Sequence, residues 1–177
     1  MVEKVKYEII KRIDDIEFRK YPEIILAVVE GNNDNSEFGL LFDYISGNNK
    51  SQEKIEMTAP VITPENRPEK IKMTAPVITQ SNYMAFVMPS TYDKETIPIP
   101  VNPRVKIKVQ TERTLAVLKF GGYATKNKIN TNKEKLLKSL EVHEVKALGE
   151  PILMRYNSPF APGFIRRNEI AVEVIYK

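Results

Sequence analysis

The 177-residue chain predicts an α+β fold: one domain, residues 1–177, of mostly antiparallel sheet curled into a twisted barrel with two helices flanking it. Three observations carry this expectation. Short β-branched or alternating runs recur along the chain, and only two segments keep helical spacing. The order strand, helix, strand, strand also occurs twice, over residues 24–88 and 115–176, as two pseudo-symmetric βαββ halves. Two such halves, each with one apolar sheet face and one helix, bury themselves by curling into a common sheet.

Val5, Tyr7 and Ile9 alternate with charged neighbours, which predicts a strand with one wet face. Asp14 and Asp15 sit between strands and read as a solvated turn, and residues 16–21 continue extended. Pro22 breaks the pairing. Residues 24–29, IILAVV, are apolar without alternation, as a central strand with both faces buried requires. Phe38, Leu41, Phe42 and Ile45 then recur at helical spacing, with Asn35 or Ser36 as N-cap and Gly47 as stop.

A doubled segment follows. Residues 54–63, KIEMTAPVIT, and 70–79, KIKMTAPVIT, differ only where Glu56 becomes Lys72. Both copies alternate as strands, joined by the turn-rich stretch 64–68. Pro60 and Pro76 have no N–H to give a ladder, so each copy is expected at an edge or a bulge. If one copy fills a barrel position and the other hairpins against it, the duplicate covers an edge that would invite another molecule.

Residues 83–88 form the next strand. Residues 89–103 read as an ordered, proline-punctuated excursion, because they carry Ile97, Ile99 and Val101. Strands are expected over 104–110 and 115–120, the latter leaving through Gly121 and Gly122. Residues 132–142 set Leu136, Leu137 and Leu140 on one side and lysines on the other, a second amphipathic helix. Two strands, 152–156 and 169–176, close the chain.

Composition excludes several chemistries. With no cysteine, thiolate metal sites, disulfides and thiol nucleophiles are absent together. The single histidine, His143, stands between charged neighbours at the end of the second helix, which fits a surface residue better than a haem ligand. A Ser–His–Asp triad would have to use it, and no G-x-S-x-G motif is present, so no catalytic residue is assigned and no enzyme is expected. Met57, Met73, Met84, Met88 and Met154 all fall on predicted strands, where packing in the core is the ordinary role. The net charge of +4 is spread among acids rather than gathered in basic runs, so no nucleic-acid partner is expected. Charge interrupts the N-terminal apolar residues from the start, so a cytoplasmic protein with no membrane partner is expected.

The late stretch 159–167, PFAPGFIRR, combines proline stiffening with two phenylalanines and two arginines, a ledge able to cover a flat apolar ligand and pair its carboxylates. Taken in order, YISGNN, the two KI-MTAPVIT copies, FVMPSTY, LKFGGYAT and RYNSPFAPGFIRRNEI resemble the SOUL haem-binding protein family over nearly the whole chain. The resemblance implies a twisted barrel of two halves with two helices. It also implies reversible, non-covalent binding of haem or a related tetrapyrrole in a shallow apolar site, as a carrier or buffer. On this chain that site would comprise Phe38, Leu41, Phe42 and Ile45 of the first helix with Phe160 and Phe164 of the late loop, and Arg166 for a propionate. Haem would be held weakly and without an assigned axial ligand. The other expectation is a small-molecule effector-binding module of the kind found in bacterial regulators, also without catalysis.

Overall fold

The computed structural model describes residues 3–31, 34–64, 82–158 and 160–176. In chain order these form β1 (Glu3–Lys4), β2 (Glu8–Ile13), β3 (Ile16–Tyr21), β4 (Ile24–Glu30), α1 (Asp34–Ile45), β5 (Thr58–Pro64), β6 (Tyr83–Val87), β7 (Val105–Gln110), β8 (Arg113–Gly121), α2 (Lys126–Val142), β9 (Ala147–Arg155), a single 3-10 turn (Gly163–Ile165) and β10 (Arg167–Val174). The two halves read from the sequence are present as β4-α1-β5-β6 and β8-α2-β9-β10.

All ten described strands join one sheet in the order β2-β3-β8-β10-β9-β5-β6-β4-β7, with β1 pairing beside β5. Every pair is antiparallel except the parallel pair of β1 with β5. The connections force the sheet to curl. Five strands separate β8 from β7 in that order, which is about 29 Å on a flat sheet. Yet only Thr111 and Glu112 join them, a link that reaches at most ~11 Å. The sheet is therefore strongly curved, as the barrel expectation requires, although β2 and β7 remain open edges.

Curvature gives the sheet two apolar faces, and alternation along each strand supplies both. In β4, Ile25, Ala27 and Val29 pack outward beneath α1, while Leu26 and Val28 pack inward. In β9 and β10, Leu153, Ile170 and Val172 lie beneath α2, while Ile152, Met154 and Ala171 face inward. Both helices thus cover the outer face, and the inner face closes on itself. That is why the run 24–29 lacks a polar residue.

Several expectations shift by local causes. The first copy of the doubled segment is not an edge: β5 lies between β9 and β6, and the pairing slips between Thr58 and Val61, so the bulge absorbs Pro60. The second copy, 70–79, lies outside the described residues. Val5 and Tyr7 fall in the link between β1 and β2 rather than in a strand, and pack against the inner cluster. The second helix begins six residues earlier than its apolar pattern indicates, because Thr125 caps it by accepting a hydrogen bond from the Lys128 N–H and Ile129 supplies the first buried contact. In the excursion 89–103, Ile97 is buried, while Ile99 and Val101 are exposed. It is held under α1 by the Tyr44 hydroxyl, which donates to the Pro98 carbonyl at 2.6 Å.

Candidate functional site

The residues of α1 divide by face. Leu41, Tyr44 and Ile45 are buried against β4 and β6, and with Glu37 they fix the helix on the sheet. One step round the helix, Phe38 is half-buried, with its ring edge-on to Phe86 at 5.3 Å and stacked on Phe42 at 6.0 Å with 14° between planes. Phe42 is 50% exposed. Gly39 lies beside this pair, and a Cβ there would meet nothing within 4 Å. Of the four helix residues named from the sequence, Leu41 and Ile45 are core residues that act from beneath, and Phe38 and Phe42 form the accessible stack.

The turn before β10 is built by its own backbone. The Phe160 N–H donates to the Ser158 hydroxyl at 3.3 Å and the Ala161 N–H to the Ser158 carbonyl at 2.9 Å. The Arg166 Nε donates to the Ala161 carbonyl at 2.7 Å, and its guanidinium lies 4.5 Å over the Tyr123 ring. Gly163 is needed here, since a Cβ would run into that same ring. With the turn so held, Phe160 and Phe164 point away from it, 95% and 90% exposed. At these exposures neither ring is accounted for by core packing among the described residues.

Sequence reasoning missed part of this surface. Arg155, Tyr123, Asn157 and Asn168 share with Arg166 a hollow of about 260 Å³ at the start of α2. Arg155 pairs directly opposite Val61, which packs beneath α1, so Arg155 stands on the outer face. The signal was available in RYNSPF, but only strand register shows which way that arginine points. The α1 stack lies over β4 and β6 and the 3-10 turn against β8, with β5, β9 and β10 between them on the outer face. Among the described residues no ring contact joins Phe38 or Phe42 to Phe160 or Phe164.

His143 stands apart from all of these rings. It caps the C-terminus of α2, and its Nε2 is 3.6 Å from the Asp14 carboxylate, with the imidazole side chain 38% exposed. Its open surface hollow is lined by Asp14, Lys135, Lys138, Ser139 and Val142. Among the described residues no cluster of His, Asp and Glu is arranged to hold a metal ion. The phenylalanine rings and arginines fit the plane and carboxylates of a porphyrin. They do not supply an axial ligand.

On the inner face the chemistry is different. Arg19 and Glu169 are both fully buried and form a two-point pair, with both bonds at 2.9 Å. Arg19 also donates to Glu17 at 2.8 Å and to the Tyr21 hydroxyl at 2.9 Å, and Arg167 donates to Glu169 at 2.6 Å. Tyr7 lies 4.1 Å beneath the Arg19 guanidinium. Burial alone would raise the Glu169 carboxyl, but the hydrogen bonds and charge of Arg19, helped by Arg167, hold it below its ordinary value. Burial and the neighbouring Tyr21 push the Tyr156 phenol up. This cluster is charge-satisfied from within.

A curved antiparallel sheet of two βαββ halves with two outer helices defines an α+β class of protein. The sequence matches the profile of the SOUL heme-binding protein over residues 2–173, so the chain belongs to the SOUL heme-binding family. No curated protein matches it at a significant level. Among solved structures it is similar to the EcmrR C-terminal domain, with 11% identity, 97% of this chain and 99% of that chain covered, and a TM-score of 0.65. An uncharacterized conserved protein from Listeria innocua aligns over 91% of this chain and 92% of its own at 10% identity and a TM-score of 0.65. A hydrolase from Listeria innocua aligns over 94% of each chain, at 10% identity and a TM-score of 0.57. At such identities the likeness is one of fold.

Among the described residues no helix is long and apolar enough to cross a membrane.

Proposed function

We propose that the chain works as one cytoplasmic domain that binds haem or a related tetrapyrrole reversibly on its outer face, as a carrier or buffer without catalysis of its own. The observation that carries this reading is the set of outward rings, Phe42, Phe160 and Phe164, held on two rigid elements with Arg166 beside them. Phe38 extends the stack, Leu41 and Ile45 seat the helix from below, and Arg166 with Arg155 offers cations to the carboxylates. Three strands, β5, β9 and β10, lie between the two ring sets, about 19 Å from β6 to β8 along the sheet. Burying about 200 Å² of each partner at about 25 cal/mol per Å² supplies ~10 kcal/mol before association costs, which fits micromolar rather than tight binding. When bound, the iron would bring its own redox and gas-binding chemistry. The chain's part is to hold the plane and orient its carboxylates.

Haemin titration followed by absorbance tests this reading. A saturable Soret change is expected, weakened about tenfold by Phe42→Ala or Arg166→Ala and unchanged by His143→Ala. No saturable change, or equal affinity after alanine replaces Phe42, Phe160 and Phe164 together, would remove the proposal.

A second reading is a small-molecule effector-binding module without catalysis; the fold likeness to the EcmrR C-terminal domain extends over 97% of the chain. On the inner face Glu169 offers no free charge for a cationic ligand, because that carboxylate already meets two arginines there.

A further inference from the structure

A further hollow lies away from the outer face. It lies at one end of the barrel, about 360 Å³, where β1, the β3–β4 turn, the end of β6 and the start of the excursion 89–103 meet. Its apolar wall comes from Val5, Ile24, Ile25, Val87, Met88 and Val109. A narrow extension continues inward to Tyr21, Ile62, Leu115 and Met154. The size falls within the range of small-molecule sites, which are mostly apolar with a few placed polar groups.

Thr58 supplies one such group. It lines the hollow, is 2% exposed, and its hydroxyl has no hydrogen-bond partner among the described residues. An orphan buried hydroxyl is costly, so a valine would serve the fold alone as well or better. The rim carries charges of both signs. Lys4, Lys6 and Lys94 stand there with Glu3, Glu23 and Asp93. Two of those acids are engaged by the chain itself. Glu3 accepts from the Ser90 N–H at 3.2 Å and from its hydroxyl at 2.6 Å. Asp93 accepts from the Glu95 and Thr96 N–H groups, both at 2.8 Å.

We infer that this barrel-end hollow is a second binding site, which takes a monocarboxylate with a compact apolar body. The body lies against Ile24, Val87 and Val109, the Thr58 hydroxyl donates a hydrogen bond, and the rim lysines meet the carboxylate. The site uses other residues than the aromatic shelf and stands whether or not haem binds.

Calorimetric titration with 1-naphthoate tests it, with 1-naphthylmethylammonium as the charge-reversed probe. Naphthoate is expected to bind saturably and the ammonium at least tenfold more weakly. Thr58→Val should lower naphthoate affinity about tenfold while leaving the melting temperature unchanged or raised, a split that a structural role would not produce. Val109→Trp, at a partly exposed edge position, should block the hollow, and Lys94→Glu on the rim should weaken binding several-fold. Equal affinity for the ammonium, full affinity in Thr58→Val, or no saturable binding of naphthoate would overturn the inference. So would binding that survives Val109→Trp and is lost in Phe160→Ala, which would put the acid on the outer shelf. Haemin absorbance reads only that shelf, so failure of either site is seen separately.

Discussion

Arg19 and Glu169 show how one pair of side chains can govern the inside of a curved sheet. Removing Arg19 from a fully buried, two-point pair leaves the Glu169 carboxylate with Arg167 as its remaining arginine, so Arg19→Met should cost about 3–5 kcal/mol in urea unfolding. The pH dependence follows from the neighbouring Glu17. Burial would raise its carboxyl, but hydrogen bonds from Arg19 and Lys119 bring it from 4.5 to about 2. A carboxylate held lower in the folded state stabilises fully above its unfolded value and loses that stabilisation as pH falls through the folded one. The melting temperature should therefore drop between pH 4.5 and about 2, and Glu17→Gln should flatten that slope. None of this was legible in residues 16–21, where Glu17 and Arg19 read as ordinary charges of an extended segment. Their burial depends on β8 standing beside β3 and β10 next beyond it.

Among the elements, α1 and β5 carry the most instructive sequence features. Gly39 sits in mid-helix with open space around it, so Gly39→Ala should stabilise the fold by about 0.5–1 kcal/mol. Gly39→Leu should retain the fold yet reduce haemin affinity, since it raises a side chain beside the Phe38–Phe42 stack. Comparing the two variants by melting temperature and Soret titration separates helix propensity from ligand contact. The doubled segment can be tested at β5, whose register with β6, Ile62 opposite Ala85, places Pro64 opposite Tyr83 when extended. Deleting residues 65–80 would leave Ser81 and Asn82 as a two-residue hairpin link, a favoured length. The variant should melt within a few degrees of the parent; collapse on thermal unfolding would show that both copies are structural. The first helix was legible because its apolar spacing runs almost to its ends. The start of α2 was not, because KNKINTN holds a single apolar residue, and a cap at Thr125 with one contact at Ile129 sufficed to extend it.

For the molecule as a whole, an open barrel leaves two edges that must avoid pairing with another chain. β7, VKIKVQ, places exposed Lys106 and Lys108 along one of them. Lys106→Val with Lys108→Val should promote concentration-dependent association, measured by light scattering after size exclusion. An unchanged monomer-like profile would show that edge charge is not the protecting device. The two aromatic patches that the family resemblance joins in one site lie on separate parts of the outer face, with β5, β9 and β10 between them. Helix and turn are adjacent only through the strands between them.

The sequence by itself determined the two βαββ halves and the absence of thiol chemistry, because periodicity and residue type are local properties. Tertiary structure alone decided that β5 is central, that Leu41 and Ile45 lie under the helix, and that Arg19 meets Glu169 across 150 residues. It also decided that an orphan threonine borders the barrel-end hollow. The physical reason is strand register: which residues share a face and meet across a curled sheet depends on pairing between distant segments, which no local pattern encodes.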